Sequence, residues 1–146
     1  EVAAVLRCCA AAGVPVTISD NVAGARWLKL IVNCAYNGLS TITQLPYGRI
    51  VQGENVLPLL RDIVDECVAV ATAAGIELPG DAWQATEAIA RSMATQKSST
   101  AFDLARGHRT EIDHLNGYVL DRGTTLGVPV PVNRAIHAIV RLMEGR

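Results

Sequence analysis

Between residues 27 and 39 the chain is apolar almost throughout, with Trp27, Leu28, Leu30, Ile31, Val32, Ala35 and Leu39. The strongly polar exceptions, Lys29, Asn33 and Asn37, fall four residues apart. At ~100° per residue these three positions drift by only ~80° around a helix, so they share one face. A helix that is apolar nearly all round is predicted to be buried, which would hold a cation and two amides against low-dielectric surroundings. Such a stripe either satisfies other buried polar groups or faces a polar ligand.

The remaining pattern is also helical. Glu1 to Ala12 reads as a helix stopped at Gly13, and Val14-Pro15-Val16-Thr17-Ile18 as a single short strand. A lone strand has no ladder to join in a helical chain. The expectation is a preceding sheet-containing domain, with this chain the C-terminal piece of a larger protein. Asp20 is the expected N-cap of the helix carrying the stripe. Pro46, Gly48 and Gly53 signal a loop. Asn55 to Ala74 is periodic again, with Val56, Leu60, Ile63, Cys67 and Val70 inward, and ends at Gly75. Asp81 caps a helix running to about Ala94, and the polar break from Gln96 to Thr100 leads into a short helix, Ala101 to Ala105. Glu111 to Leu126 repeats Ile112, Leu115 and Val119 at i, i+3 and i+7. After the stiff Gly127–Pro131 linker, Asn133 is expected to cap a last amphipathic helix with Ile136, Ile139, Val140 and Met143. Asn37-Gly38 and Asn116-Gly117 lie inside helical periods, where a glycine admits a close neighbour.

Composition agrees with an all-α fold: 146 residues, 50% hydrophobic and 4% aromatic. The division expected is residues 1–19 as tail and linker of the preceding domain, and 20–146 as one helical domain. A net charge of -1 without a basic cluster argues against nucleic acid. No apolar run approaches the ~18 residues of a membrane span. Cys8, Cys9, Cys34 and Cys67 suit reduced thiols in a cytoplasmic protein. His108, His114 and His137 lack metal-ligand spacing, so no metal is expected. There is no Gly-x-Gly-x-x-Gly and no P-loop, hence no nucleotide fingerprint.

Lys29 is the first candidate for chemistry, because a lysine partly removed from water becomes a usable general acid or base. The same spacing suits a lysine paired with a buried carboxylate or reaching to the surface. Asn33 and Asn37 can bind hydroxyl and carbonyl groups or bond helix to helix. Ser98 and Ser99 precede a short helix, where they can hold a carboxylate or simply cap. Glu111 opens a helix behind Thr110, where its charge suits the dipole whether or not it has a further role.

Together these segments resemble the C-terminal domain of the ketopantoate reductases. The likeness runs through Ala12-Gly13-Val14-Pro15-Val16, Trp27-Leu28-Lys29-Leu30, Asn33, Asn37, Ser98-Ser99 and Asp103-Leu104-Ala105-Arg106-Gly107. It continues through Thr110-Glu111-Ile112-Asp113, Leu115-Asn116-Gly117 and Gly127-Val128-Pro129-Val130-Pro131. The resemblance implies an N-terminal Rossmann domain binding NADPH and an all-helical domain like that of 6-phosphogluconate dehydrogenase closing over it. It implies that Lys29 protonates the alkoxide formed from a 2-keto acid, and that Asn33 and Asn37 hold the substrate's hydroxyl end. Ser99, next to Ser98, would meet its carboxylate, and Glu111 would lie beside the cofactor and orient the lysine. Two positions depart from the family pattern: Tyr47 stands where an asparagine is common, and Thr100 where a methionine is. A reductase of another 2-keto acid, or a non-catalytic helical assembly module, therefore stays open. The isolated chain is expected to be inactive. Its face near Leu30 to Leu45 is expected to be exposed, so that a homodimer could form.

Overall fold

The computed structural model describes residues 2–16 and 18–145. Among these the regular elements are all helical: α1 (Val2–Ala11), α2 (Val22–Thr43), α3 (Tyr47–Ile50), α4 (Val56–Ala73), α5 (Ala82–Ser92), α6 (Ser99–Ala105), a 3-10 turn (Ile112–His114), α7 (Asn116–Leu126) and α8 (Pro131–Met143). The expected all-α class holds. The expected strand does not: Val14, Val16 and Ile18 lie exposed in irregular backbone, and Thr17 falls outside the described residues, as does Glu1. No described segment offers that stretch a ladder to pair with.

Helix α2 is the axis of the domain, packed by α4, α5, α6 and α8. Its Trp27, Ile31, Cys34, Ala35 and Leu39 join Leu60, Ile63, Cys67 and Val70 of α4, and Ile136 and Val140 of α8, in one core. Its N-cap is Asn21 rather than Asp20. The Asn21 side-chain oxygen accepts from Gly24 N–H at 2.9 Å, while its amide donates to the Glu77 carbonyl at 2.8 Å. A carboxylate could perform only the first task. Gly38 lies against α8, where an added Cβ would run into Ile136 Cγ2. The Asn-Gly pair is thus a helix-packing feature, not a turn.

Three further boundaries differ from the sequence reading. The segment expected as a loop after Pro46 contains α3, and Tyr47 is buried there with its ring 5.1 Å from that of Tyr36. Helix α6 begins at Ser99, because Ser98 caps it by accepting Ala101 N–H at 3.0 Å. The stretch from Glu111 is a 3-10 turn, and α7 starts only at Asn116, after Leu115 leaves the helical region at φ -108 and ψ -104.

Asn133 is not a cap but a buried junction. Its amide donates to the Ile63 carbonyl at 3.2 Å and to Glu66 at 2.7 Å, and its oxygen accepts from Asn116 at 2.9 Å. The start of α8 is capped instead by Glu66 of α4, whose carboxylate accepts Val132 N–H at 2.8 Å and Asn133 N–H at 2.9 Å. An anion at a helix start satisfies free N–H groups and suits the dipole. Four helices are joined here, since Asn116 of α7 also donates to the Cys34 carbonyl of α2 at 3.2 Å. The four thiols are free; Cys34 and Cys67 are buried, Cys9 is half-buried and Cys8 is exposed. Burial beside Cys67 pushes the Cys34 thiol well up, so it stays protonated.

Candidate active site

The polar face of α2 extends beyond Lys29, Asn33 and Asn37. Arg26, Ser40 and Gln44 fall within ~60° of Lys29 around the helix. The signal was present, since Ser40 and Gln44 lie seven residues beyond Asn33 and Asn37. Helix α6 covers the C-terminal half of this face. Asn37 donates to Thr100 Oγ1 at 3.4 Å, Ser98 N–H donates to Ser40 Oγ at 3.2 Å, and Gln44 donates to the Ala101 carbonyl at 3.3 Å. This half is interior: Asn37 is 6% exposed and Ser40 0%.

The N-terminal half is open. Lys29 is exposed and Asn33 half-buried, and among the described residues neither side chain has a hydrogen bond or ion pair. The low-dielectric enclosure expected around Lys29 is therefore not formed by these residues, because no described element packs over that end. The two serines are likewise separated in role. Ser98 is buried, with its hydroxyl accepting from Ala101 and donating to the Asn37 carbonyl at 3.4 Å, so it is committed to structure. Ser99, the first residue of α6, is exposed. Tyr47 packs into the core on Tyr36, so its ring replaces no amide on the α2 face.

Glu111 approaches from a different segment. It is exposed, precedes the 3-10 turn at φ -86 and ψ 11, and makes no ion pair among the described residues. Its neighbour His114 lines a depression of about 450 Å³ with Tyr118 of α7 and Ala23, Arg26, Trp27 and Leu30 of α2. The Trp27 and Tyr118 rings lie 5.9 Å apart across it. Through His114 the turn that follows Glu111 thus meets the N-terminal part of α2 at Ala23, Arg26, Trp27 and Leu30. No group of three or more metal-ligating side chains occurs among the described residues, and no helix there is long and apolar enough to cross a membrane.

Exposed apolar residues are not concentrated between Leu30 and Leu45, where residues 34–41 are all buried by α4, α6 and α8. They fall instead before α2, at Val2, Val5, Val14, Val16 and Ile18, at Val22 where α2 begins, and at Ile139, Leu142 and Met143 of α8.

Behind the turn, two carboxylates are held as anions. Asp113 is lowered by its bond from His137 at 2.8 Å and by Arg109 at 2.9 Å. For Glu144 burial pushes upward, but bonds from Thr110 and the charge of Arg141 outweigh it and leave the carboxyl lowered. Groups whose pKa falls on folding stabilise the fold above their unfolded values of ~4, and lose that contribution as pH drops through the folded values. Stability of the domain is expected to be flat from pH 7 to about 5 and to decline below ~4. Glu144→Gln should flatten that decline, as read by urea midpoints across the range; an unchanged acid slope would count against it.

The fold and the open face together define an all-α domain whose central helix carries an exposed lysine and a half-buried asparagine with no side-chain partner among the described residues. Residues 21–144 match the family described as ketopantoate reductase PanE/ApbA C terminal. The chain is 36% identical over 129 residues to a 2-dehydropantoate 2-reductase of Pyrobaculum aerophilum, covering 88% of this chain and 46% of that protein. A crystal structure of a PanE/ApbA family ketopantoate reductase from Ralstonia eutropha JMP134 superposes with a TM-score of 0.90 at 62% identity, over 93% of this chain and 46% of the other. A D-mandelate dehydrogenase with NADH and anilino(oxo)acetate superposes with a TM-score of 0.84 at 26% identity, over 91% and 44%. The chain belongs to the ketopantoate reductase C-terminal family, and it spans a little under half the length of these relatives.

Proposed function

We propose that this chain is the helical half of an NADPH-dependent reductase that converts 2-dehydropantoate to pantoate. The single observation carrying this reading is the open end of the α2 face, where the Lys29 ammonium stands one turn from the Asn33 amide and neither has a side-chain partner among the described residues. Residues 20–146 are the substrate-side domain in this reading, and residues 1–19 belong to the junction with an N-terminal Rossmann domain. The exposed Val2, Val5, Val14, Val16 and Ile18 fit such a junction.

The residues present fit the acceptor side of a nicotinamide reaction, and in this reading the nucleotide is held mainly by the other domain, of the glycine-rich βαβ kind. A hydride for the keto carbon is the chemistry that bound NADPH supplies. Negative charge then develops on the keto oxygen, and Lys29 stabilises it and gives up a proton from Nζ. Asn33 bonds the substrate's hydroxyl end, with Asn37 behind it tied to Thr100. Ser99 receives the carboxylate. Glu111 keeps Lys29 charged and turned toward the oxygen until the proton moves. Closure of the other domain would provide the dry surroundings that these residues lack alone. In this reading the protein works in the cytoplasm, where reduced nucleotide and reduced thiols coexist. The chain by itself should bind NADPH weakly and turn over nothing.

A second reading, reduction of a bulkier 2-keto acid, is favoured by two observations. Tyr47 is committed to the core where the family pattern has an asparagine, and the superposable D-mandelate dehydrogenase carries an aromatic keto acid analogue. A panel of 2-keto acids compared by kcat/KM with the full-length parent, using NADPH and NADH, separates the two. Ketopantoate with NADPH is expected to lead the panel at ~10⁴ M⁻¹s⁻¹ or above. An aromatic keto acid leading instead would replace the first substrate with the second, and turnover by the helical chain alone would remove the division of labour.

A further inference from the structure

The turn that carries Glu111 lies between α6 and α7 in sequence, yet its side-chain anchors lie on α8. Glu144, at the end of α8, has a side chain only 2% exposed and accepts Thr110 N–H at 2.7 Å, one residue before Glu111. Two residues after Glu111, Asp113 meets His137 at 2.8 Å and Arg141 at 3.5 Å, both on α8, as well as Arg109 at 2.9 Å. Arg141 also bonds Glu144 at 2.9 Å, so the two anchors are joined to each other. His137, Arg141 and Glu144 are spaced four and three apart and form one polar stripe on α8. The Glu111 carboxylate itself has no partner among the described residues, so its position is set by the backbone on either side.

We propose that Asp113 and Glu144 are positioning residues: with Arg141 and His137 they clamp the Thr110–His114 turn to α8 and so set where Glu111 stands at the edge of the Lys29 face. This rests on the reading of Glu111 as the partner of Lys29. The burial of Ile112 and Leu115 fixes the far side of the turn, leaving Thr110 and Asp113 as the points at which polar contacts decide its height. Both carboxylates are held as anions by these contacts, consistent with a clamp that persists at neutral pH. Gly117 lies 3.0 Å from the His137 ring by the position its Cβ would take, so a side chain there would press on the same clamp.

The test is a double-mutant cycle in the full-length enzyme with its best keto acid. Glu144→Ala is expected to lower kcat about tenfold with KM within twofold, because misplacement of ~1 Å can cost up to ~10² in rate. In a Glu111→Gln background the same change should have almost no further effect on kcat, the signature of acting through Glu111. Glu144→Gln keeps an acceptor for Thr110 N–H and should retain most of the turnover. Should Glu144→Ala fail to fold, Asp113→Ala runs the same cycle. A full effect of Glu144→Ala in both backgrounds, or none in the wild type, overturns the positioning role while leaving Glu111 its own. Wild-type kcat in Glu111→Gln alone refutes the role of Glu111 and the clamp together.

Discussion

Lys29→Ala in the full-length parent is expected to reduce kcat by ~10²–10⁴-fold, the usual contribution of a positioned general acid. The change should leave stability within about 0.5 kcal/mol, since Lys29 is exposed and bonded to nothing among the described residues. That combination is the useful part of the result. A residue held only for structure would lose stability and turnover together, whereas a free ammonium serving a reaction loses turnover alone. Lys29→Arg sharpens the test. Arginine keeps the charge but does not release its proton near neutral pH, so charge stabilisation would survive while proton donation would not. Partial recovery in Lys29→Arg relative to Lys29→Ala measures the electrostatic share. Wild-type turnover in Lys29→Ala would end the proposed mechanism.

The largest loss of stability is expected at Asn133. Replacing it by alanine removes the donor to Ile63 O, one donor to Glu66 and the acceptor for Asn116, all at a site of 0% exposure. Buried groups left without partners cost ~1–3 kcal/mol each, and the total here is expected at about 3–5 kcal/mol. For a domain of this size that corresponds to a fall in Tm of ~10 °C, measurable by calorimetry on the helical chain. Asn133→Asp should lose further stability as pH rises and the new acid ionises, because a second carboxylate would then face Glu66 where the amide now donates at 2.7 Å. A loss below 1 kcal/mol in Asn133→Ala would mean that the four helices are held by apolar packing alone.

The sequence reading erred where a polar residue had two plausible uses. Asp20 and Asn133 both looked like caps, because cap preference depends on residue type and position. Asn21 prevailed because its amide could also donate to Glu77 O, and Asn133 was drawn inside because Glu66 supplied the cap from another helix. The segment after Glu111 kept the apolar spacing of a helix yet turned at Leu115, since its anchors on α8 lie more than twenty residues away in sequence. The helical character of the rest was readable because apolar periodicity is a local property.

By itself the sequence determined that this chain would be helical, that Lys29, Asn33 and Asn37 would share one face of its longest helix, and that it carries no glycine-rich nucleotide turn. These depend on spacing along one stretch of backbone, which rotation of ~100° per residue turns directly into geometry. Only the tertiary structure decided that the face is closed at Asn37 and open at Lys29, that Ser98 is buried and Ser99 exposed, and that the turn carrying Glu111 is tied to α8. Those depend on which helix covers which, and contacts such as Asn37 to Thr100 join residues 63 apart in the chain. Covering one end of a polar face and leaving the other bare is a property of packing, and packing is not written in the period of any single helix.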